Sequence, residues 1–219
     1  MIIILPPTYL VYGQKYQILN GYQNFSGGYL VASVDGCPPN GEAMGNDDVS
    51  MHCVSTIVYP ELWDYHKHLF GTVWTILSAT GKEGPVLLND TIYLRAGFVV
   101  GQQKVAPDAE GGYLDTRGKG CQGNHLCVST RANSNRNLGT ASWSIVINEP
   151  GGGVLSAGVI ERGAEVHLQN GWDNWQGGFL ETRGEGCTGN KLCVSTRKEW
   201  NGGDALSQTW KFVTPGQFT

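Results

Sequence analysis

The chain has 219 residues, 40% of them hydrophobic, which is enough for one large all-β domain or two small ones. Thirty-two glycines and only 16% charged residues fit many turns and few long helices. The net charge of −4 comes without a long basic run, so the electrostatic footprint of a nucleic-acid binder is missing.

At the N-terminus, Met1-Ile2-Ile3-Ile4-Leu5 is too short for a signal peptide and is interrupted by Pro6-Pro7. No stretch approaches the ~20 apolar residues of a membrane span. From there one pattern recurs three times. Gly27-Gly28-Tyr29-Leu30 leads through Cys37 to Cys53-Val54-Ser55-Thr56 and then Trp74. Gly111-Gly112-Tyr113-Leu114 leads through Cys121 to Cys127-Val128-Ser129-Thr130 and then Trp143. Gly177-Gly178-Phe179-Leu180 leads through Cys187 to Cys193-Val194-Ser195-Thr196 and then Trp210. The second cysteines lie 74 and 66 residues apart and the tryptophans 69 and 67, which defines tandem repeats at about 8–80, 81–150 and 151–215.

Each repeat offers four short alternating runs divided by Gly and Asn, which are strand signals. In repeat three they cover 165–169, 178–182, 192–196 and 209–213. The first run falls at 91–95 in repeat two and at 15–19 in repeat one. No helix stands out beyond a turn within 62–69. Three repeats of four strands predict a single all-β domain over 1–219, a β-trefoil of twelve strands whose edges are protected by closure. A β-prism or two unequal β domains are the alternatives. The leucines and tryptophans of the pattern are expected in the core. The excess length falls in loops at 34–51, 57–70 and 99–110.

The cysteines form in-repeat pairs: Cys37 with Cys53, Cys121 with Cys127, Cys187 with Cys193. In repeats two and three they flank Gly-Asn turns, and a hairpin there sets them opposite each other at a separation that suits a disulfide. One structural disulfide per repeat is expected, and with it an oxidising, secreted or extracellular location. The rival is zinc, but Cys-x5-Cys is not the usual spacing, and His52, His125 and His167 do not recur at one repeat position. Asn46-Asp47-Asp48 lacks a calcium-loop pattern. No metal or cofactor is expected.

Two constellations could bind a sugar, which needs polar groups for its hydroxyls and an aromatic face for its C–H surface. The first is Asp115 with Arg117 and Glu181 with Arg183, two apart on a strand and so on one face. A surface salt bridge is the plain alternative. The second precedes the glycine pair: Asn20-Gly21-Tyr22-Gln23-Asn24-Phe25 matches Asn170-Gly171-Trp172-Asp173-Asn174-Trp175. Two aromatics and two amides recurring there suggest an aromatic platform, with Tyr22, Asn24, Trp172, Asp173, Asn174 and Trp175 as contacts. The alternative is a turn whose Asn-Gly serves geometry and whose rings plug the barrel end. Trp200 and Lys198 could complete a repeat-three site that combines Trp172 or Trp175 with Asp173, Asn174, Glu181 and Arg183.

Gln208-Thr209-Trp210 resembles the Gln-x-Trp signature of ricin-type β-trefoil lectins, whose tryptophan sits in the last strand of each repeat. Leu114-Asp115-Thr116 and Leu180-Glu181-Thr182 resemble that family's Leu-Asp-Val segment, with Asp115 28 residues before Trp143 and Glu181 29 before Trp210. The resemblance implies that Asp115 and Glu181 bind sugar hydroxyls. No recurring His/Asp/Ser set and no Gly-x-Ser-x-Gly elbow is present, and no enzyme is expected. The function expected is a lectin with two or three glycan sites that binds cell-surface glycans or glycoproteins, a role open to an oligomer as well as to a monomer. A β-trefoil protease inhibitor acting through one long loop, or the receptor-binding part of a toxin, are the alternatives.

Overall fold

A computed structural model describes residues 7–33, 53–58, 71–97, 110–118, 125–134, 137–147, 158–184, 192–200 and 206–216. Among them are twelve strands, four from each repeat. Repeat one supplies β1 (Lys15–Asn20), β2 (Tyr29–Ser33), β3 (Cys53–Ile57) and β4 (Val73–Ser78). Repeat two supplies β5 (Thr91–Gly97), β6 (Glu110–Arg117), β7 (Leu126–Arg131) and β8 (Trp143–Val146). Repeat three supplies β9 (His167–Asn170), β10 (Phe179–Arg183), β11 (Leu192–Arg197) and β12 (Trp210–Val213). The strand runs expected from the alternation fall within a residue or two of these bounds.

All pairings are antiparallel. Followed from neighbour to neighbour, they run β10-β9-β8-β5-β4-β1-β2-β3-β7-β11 and return to β10. This closed barrel of ten strands, with β6 and β12 paired to its members, corrects the expected β-trefoil. The physical reason lies in the joints between repeats. The last strand of one repeat pairs with the first of the next, as in Ile145 with Leu168 and Ile18 with Phe212. The third strands β3, β7 and β11 also pair with one another. Twelve strands therefore merge into one continuous sheet that leaves no open end.

The expectation of a disulfide in every repeat is corrected in repeat three, where Cys193 is not disulfide-bonded. Cys53 and Cys127 of repeats one and two are disulfide-bonded, while Cys37, Cys121 and Cys187 lie outside the described residues. Cohesion in all three repeats is carried by side chains that recur in the core. Trp74, Trp143 and Trp210 are fully buried, and each indole Nε1 donates to a leucine carbonyl of its own repeat: Leu30 at 3.0 Å, Leu114 at 2.9 Å and Leu180 at 3.0 Å. The three leucines are likewise fully buried, as their place in the pattern predicts. A buried indole contributes through area and through its one satisfied donor, since a bare N–H in the core would cost about 1–3 kcal/mol.

One end of the barrel is closed by a ring of three backbone hydrogen bonds. Leu10 N donates to Ile160 O at 2.9 Å, Ile160 N to Val86 O at 3.2 Å, and Val86 N to Leu10 O at 2.9 Å. All three side chains are fully buried. No helix among the described residues is long and apolar enough to cross a membrane. The loops at 34–51 and 99–109 and the 62–69 segment lie outside the described residues.

Candidate functional site

Two four-residue turns, Tyr22–Phe25 and Trp172–Trp175, stand at the same place in repeats one and three. In each, three successive non-glycine residues have left-handed backbone: Gln23, Asn24 and Phe25 at φ 48, 59 and 65°, and Asp173, Asn174 and Trp175 at 47, 57 and 68°. L-residues avoid this region at roughly 1–2 kcal/mol each, and a bulky aromatic there is an outlier. Such strain persists only where the surroundings over-determine it.

A buried asparagine does so in both places. Asn170 Oδ1 accepts from Trp172 N at 3.1 Å and from Thr116 Oγ1 at 3.0 Å, while its Nδ2 donates to Thr140 O at 2.8 Å and Ser142 O at 3.2 Å. Asn20 repeats the arrangement with Tyr22 N, Thr182 Oγ1, Ser207 O and Thr209 O at 3.1, 2.8, 2.9 and 3.3 Å. Gly177 must be glycine because a Cβ would stand 2.2 Å from Asn170 Oδ1. The Asn-Gly pair noticed in the sequence thus serves geometry, and what it presents is the aromatic that follows.

These bonds tie each turn to the preceding repeat. Gly171 N donates to Ser142 O, and Gly21 N to Thr209 O, both at 2.8 Å. Trp172 therefore faces repeat two. It lines a cavity of about 610 Å³ with Thr116, Arg117, Gly118, His125, Leu126 and Thr140. Its ring meets that of His125 edge-on, centroids 5.9 Å apart. His125 Nε2 lies 2.9 Å from Gln176 O, and since a carbonyl only accepts, Nε2 carries the proton. His125 N donates to Thr196 O and Leu126 N to Thr196 Oγ1, which fixes this segment against β11.

Of the residues singled out in the sequence, Arg117 and Trp172 come together here. Asp173 and Asn174 are exposed at the tip of the turn, and Trp175 is half-buried beside it. Asp115 is fully buried, with Thr140 Oγ1 donating to its Oδ2 at 3.2 Å. Glu181 is buried too. Arg197 grips it through Nε on Oε2 and through Nη2 on Oε1 at 2.9 Å, and Gln208 Nε2 adds a bond to Oε2 at 3.2 Å. Its hydrogen bond raises the Arg197 pKa further. Glu181 therefore pairs across the hairpin and not with Arg183, which is half-buried on β10. Gln208 and Trp210, the Gln-x-Trp pair, both brace the interior.

Tyr22 and Asn24 lie at the other junction, half-buried and exposed respectively. There Lys211 Nζ sits 3.6 Å above the centre of the Phe25 ring, a cation–π contact, and pairs with Glu165 at 3.1 Å. Trp200 packs inward on His167 and Phe179, with centroids 3.9 and 5.4 Å away. Burial pushes the His167 pKa down to about 4, although its bond to Gln208 O opposes the shift.

Sequence reasoning missed His125, Thr116 and Thr140 as neighbours of Trp172. A signal existed for the histidine. In the β6–β7 hairpin Arg117 pairs with Cys127, so a residue two before Cys127 belongs at the Arg117 end. Among the described residues no group of three or more His, Cys, Asp or Glu is placed to hold a metal.

No protein-family model matches the chain, and no curated protein does. Solved structures do. The SDF2-like protein of Arabidopsis thaliana matches over 94% of each chain at 16% identity, with a TM-score of 0.60. A Caenorhabditis elegans protein of unknown function matches over 94% of this chain and 96% of its own at 12% identity and a TM-score of 0.62. The binding domain of botulinum neurotoxin serotype D matches over 94% of this chain and 44% of its own at 15% identity and a TM-score of 0.56. At such identities the likeness shows a shared fold alone.

Proposed function

We propose that this chain is a non-catalytic carbohydrate-binding protein, with its principal glycan site in the cavity between Trp172 and Arg117. The observation that supports this reading is the left-handed turn itself. A strained turn is held rigid by a buried asparagine, and it sets a tryptophan in the wall of a cavity that also carries cationic and apolar side chains. A cavity of this size suits a small ligand such as one or two sugar rings. The matching turn at Tyr22, tied through Asn20 to Thr182 of repeat three, is proposed as a second site. Two such sites on one body would raise avidity for glycan-coated cell surfaces, and an extracellular role is part of the proposal. The buried, engaged positions of Asp115 and Glu181 argue for binding without glycoside hydrolysis, which needs two carboxylates facing one bond.

A glycan array probed with the wild-type protein, Trp172→Ala and Tyr22→Ala tests the proposal. Selective binding by the wild type, with a loss of about tenfold or more in Trp172→Ala, is the expected result. A blank array, or full binding by both variants, would overturn it.

A further inference from the structure

Two stretches of the chain carry the Asn-x-Ser/Thr acceptor pattern for N-linked glycans: Asn24-Phe25-Ser26 and Asn89-Asp90-Thr91. Attachment needs an asparagine amide and a hydroxyl two residues on, both open to solvent where a bulky glycan meets nothing. The structure separates the two stretches. Asn89 is exposed, but Asp90 beside it is held by Tyr12 Oη at 2.7 Å, by Leu87 N at 3.1 Å and by Lys82. Thr91 already opens β5, is half-buried and pairs with Ser144. In the other stretch both Asn24 and Ser26 are exposed. They sit on the left-handed turn, where Ser26 N donates to Tyr22 O at 3.1 Å and Ser26 Oγ to Gln23 O at 2.9 Å. Asparagine is one of the few residues that tolerate such a backbone, here at φ 59°.

The matching turn of repeat three is a control built into the same molecule. Asn174 holds the same place at φ 57° and is exposed as well. Gln176 closes that turn by donating its N–H to Trp172 O at 2.8 Å, as Ser26 does to Tyr22 O. The two turns are therefore alike in backbone and in the exposure of the asparagine. They differ in the hydroxyl that an N-glycan requires, which Ser26 has and Gln176 lacks.

Resting on the extracellular role proposed above, but not on sugar binding, we infer that Asn24 is an N-glycosylation site and that Asn174 is not. The Asn24 amide nitrogen attacks the anomeric carbon of a lipid-diphosphate-linked oligosaccharide. A nitrogen–carbon bond forms, the carbon–oxygen bond to the diphosphate breaks, the amide gives up one proton, and the lipid diphosphate leaves. Translation of the full chain behind a cleavable secretion leader, in the presence of microsomes, tests the inference. Chain sheltered from added protease should carry a glycan at Asn24 that peptide N-glycosidase removes, leaving aspartate there in the mass spectrum. Ser26→Thr should keep it. Ser26→Ala should lose it, and so should Asn24→Asp, which retains a residue that tolerates left-handed backbone. Gln176→Ser should gain a further glycan at Asn174. Sheltered wild-type chain without a glycan at Asn24, or with one at Asn89 alone, would overturn the inference. So would an Asn24 glycan that survives in Ser26→Ala. Occupancy is read by mass, so an empty glycan array would sink the carbohydrate reading and leave the Asn24 site standing.

Discussion

Trp172 and His125 belong to different repeats, yet their rings meet edge-on at 5.9 Å in the wall of one cavity. The contact exists because the turn that carries Trp172 is bonded to Ser142 and Thr140 of repeat two through Gly171 and Asn170. The site is thus a property of the joint between repeats. The joint between repeats three and one repeats the design with Asn20, Thr182 and Tyr22.

The asparagines are the first test of that design. Asn170 is fully buried and takes part in four hydrogen bonds. Asn170→Ala leaves buried partners unpaired and releases the strained turn, and the net loss of stability should be about 2–4 kcal/mol. Urea denaturation measures it. Asn20→Ala should cost a similar amount, because its four bonds are the same in kind.

Glu181 separates a bracing role from a sugar-contacting one. Its carboxylate is engaged by Arg197 and Gln208 inside the barrel wall. Glu181→Gln should destabilise the fold by about 1–2 kcal/mol, a modest loss because the Arg197 side chain is partly solvated. Glycan binding at Trp172 should be retained by the folded variant. Binding abolished without unfolding would make Glu181 a ligand contact after all.

The indole hydrogen bonds predict a three-fold pattern of stability. Trp74→Phe, Trp143→Phe and Trp210→Phe each strip a leucine carbonyl of its donor and leave a small void. Each should lose about 2 kcal/mol by denaturant titration. Bond lengths of 3.0, 2.9 and 3.0 Å imply near-equal losses.

His167 should make the protein acid-sensitive. Its pKa in the folded chain is about 4, below its ordinary 6.5, so the unfolded chain takes up the proton first as pH falls. The stability that its neutral form contributes is complete above about pH 6.5 and is lost progressively down to about pH 4, roughly 3 kcal/mol in all. Unfolding followed by tryptophan fluorescence at pH 7 and pH 4.5 should show the loss in the wild type. In His167→Gln the difference between the two pH values should shrink.

By itself the sequence determined that the chain is all-β, that it repeats three times with four strands each, and that the leucine and tryptophan of each repeat are core. Those conclusions rest on alternation and recurrence, which are local and survive without coordinates. It also singled out Arg117 and Trp172, because charge on a strand and aromatics in an Asn-Gly turn are visible in one dimension. Only the tertiary structure decided which of them meet. Sequence proximity groups Trp172 with Glu181 and Arg183 of its own repeat, but hydrogen bonds from Asn170 and Gly171 swing the turn onto the previous one. Likewise, Asp115 and Glu181 read as exposed strand acids until the hairpin partners close over them. The path of the barrel was hidden for the same reason. Which strands pair across a joint depends on long-range contacts between repeats that share one short pattern, and that pattern does not say which neighbour a repeat will join.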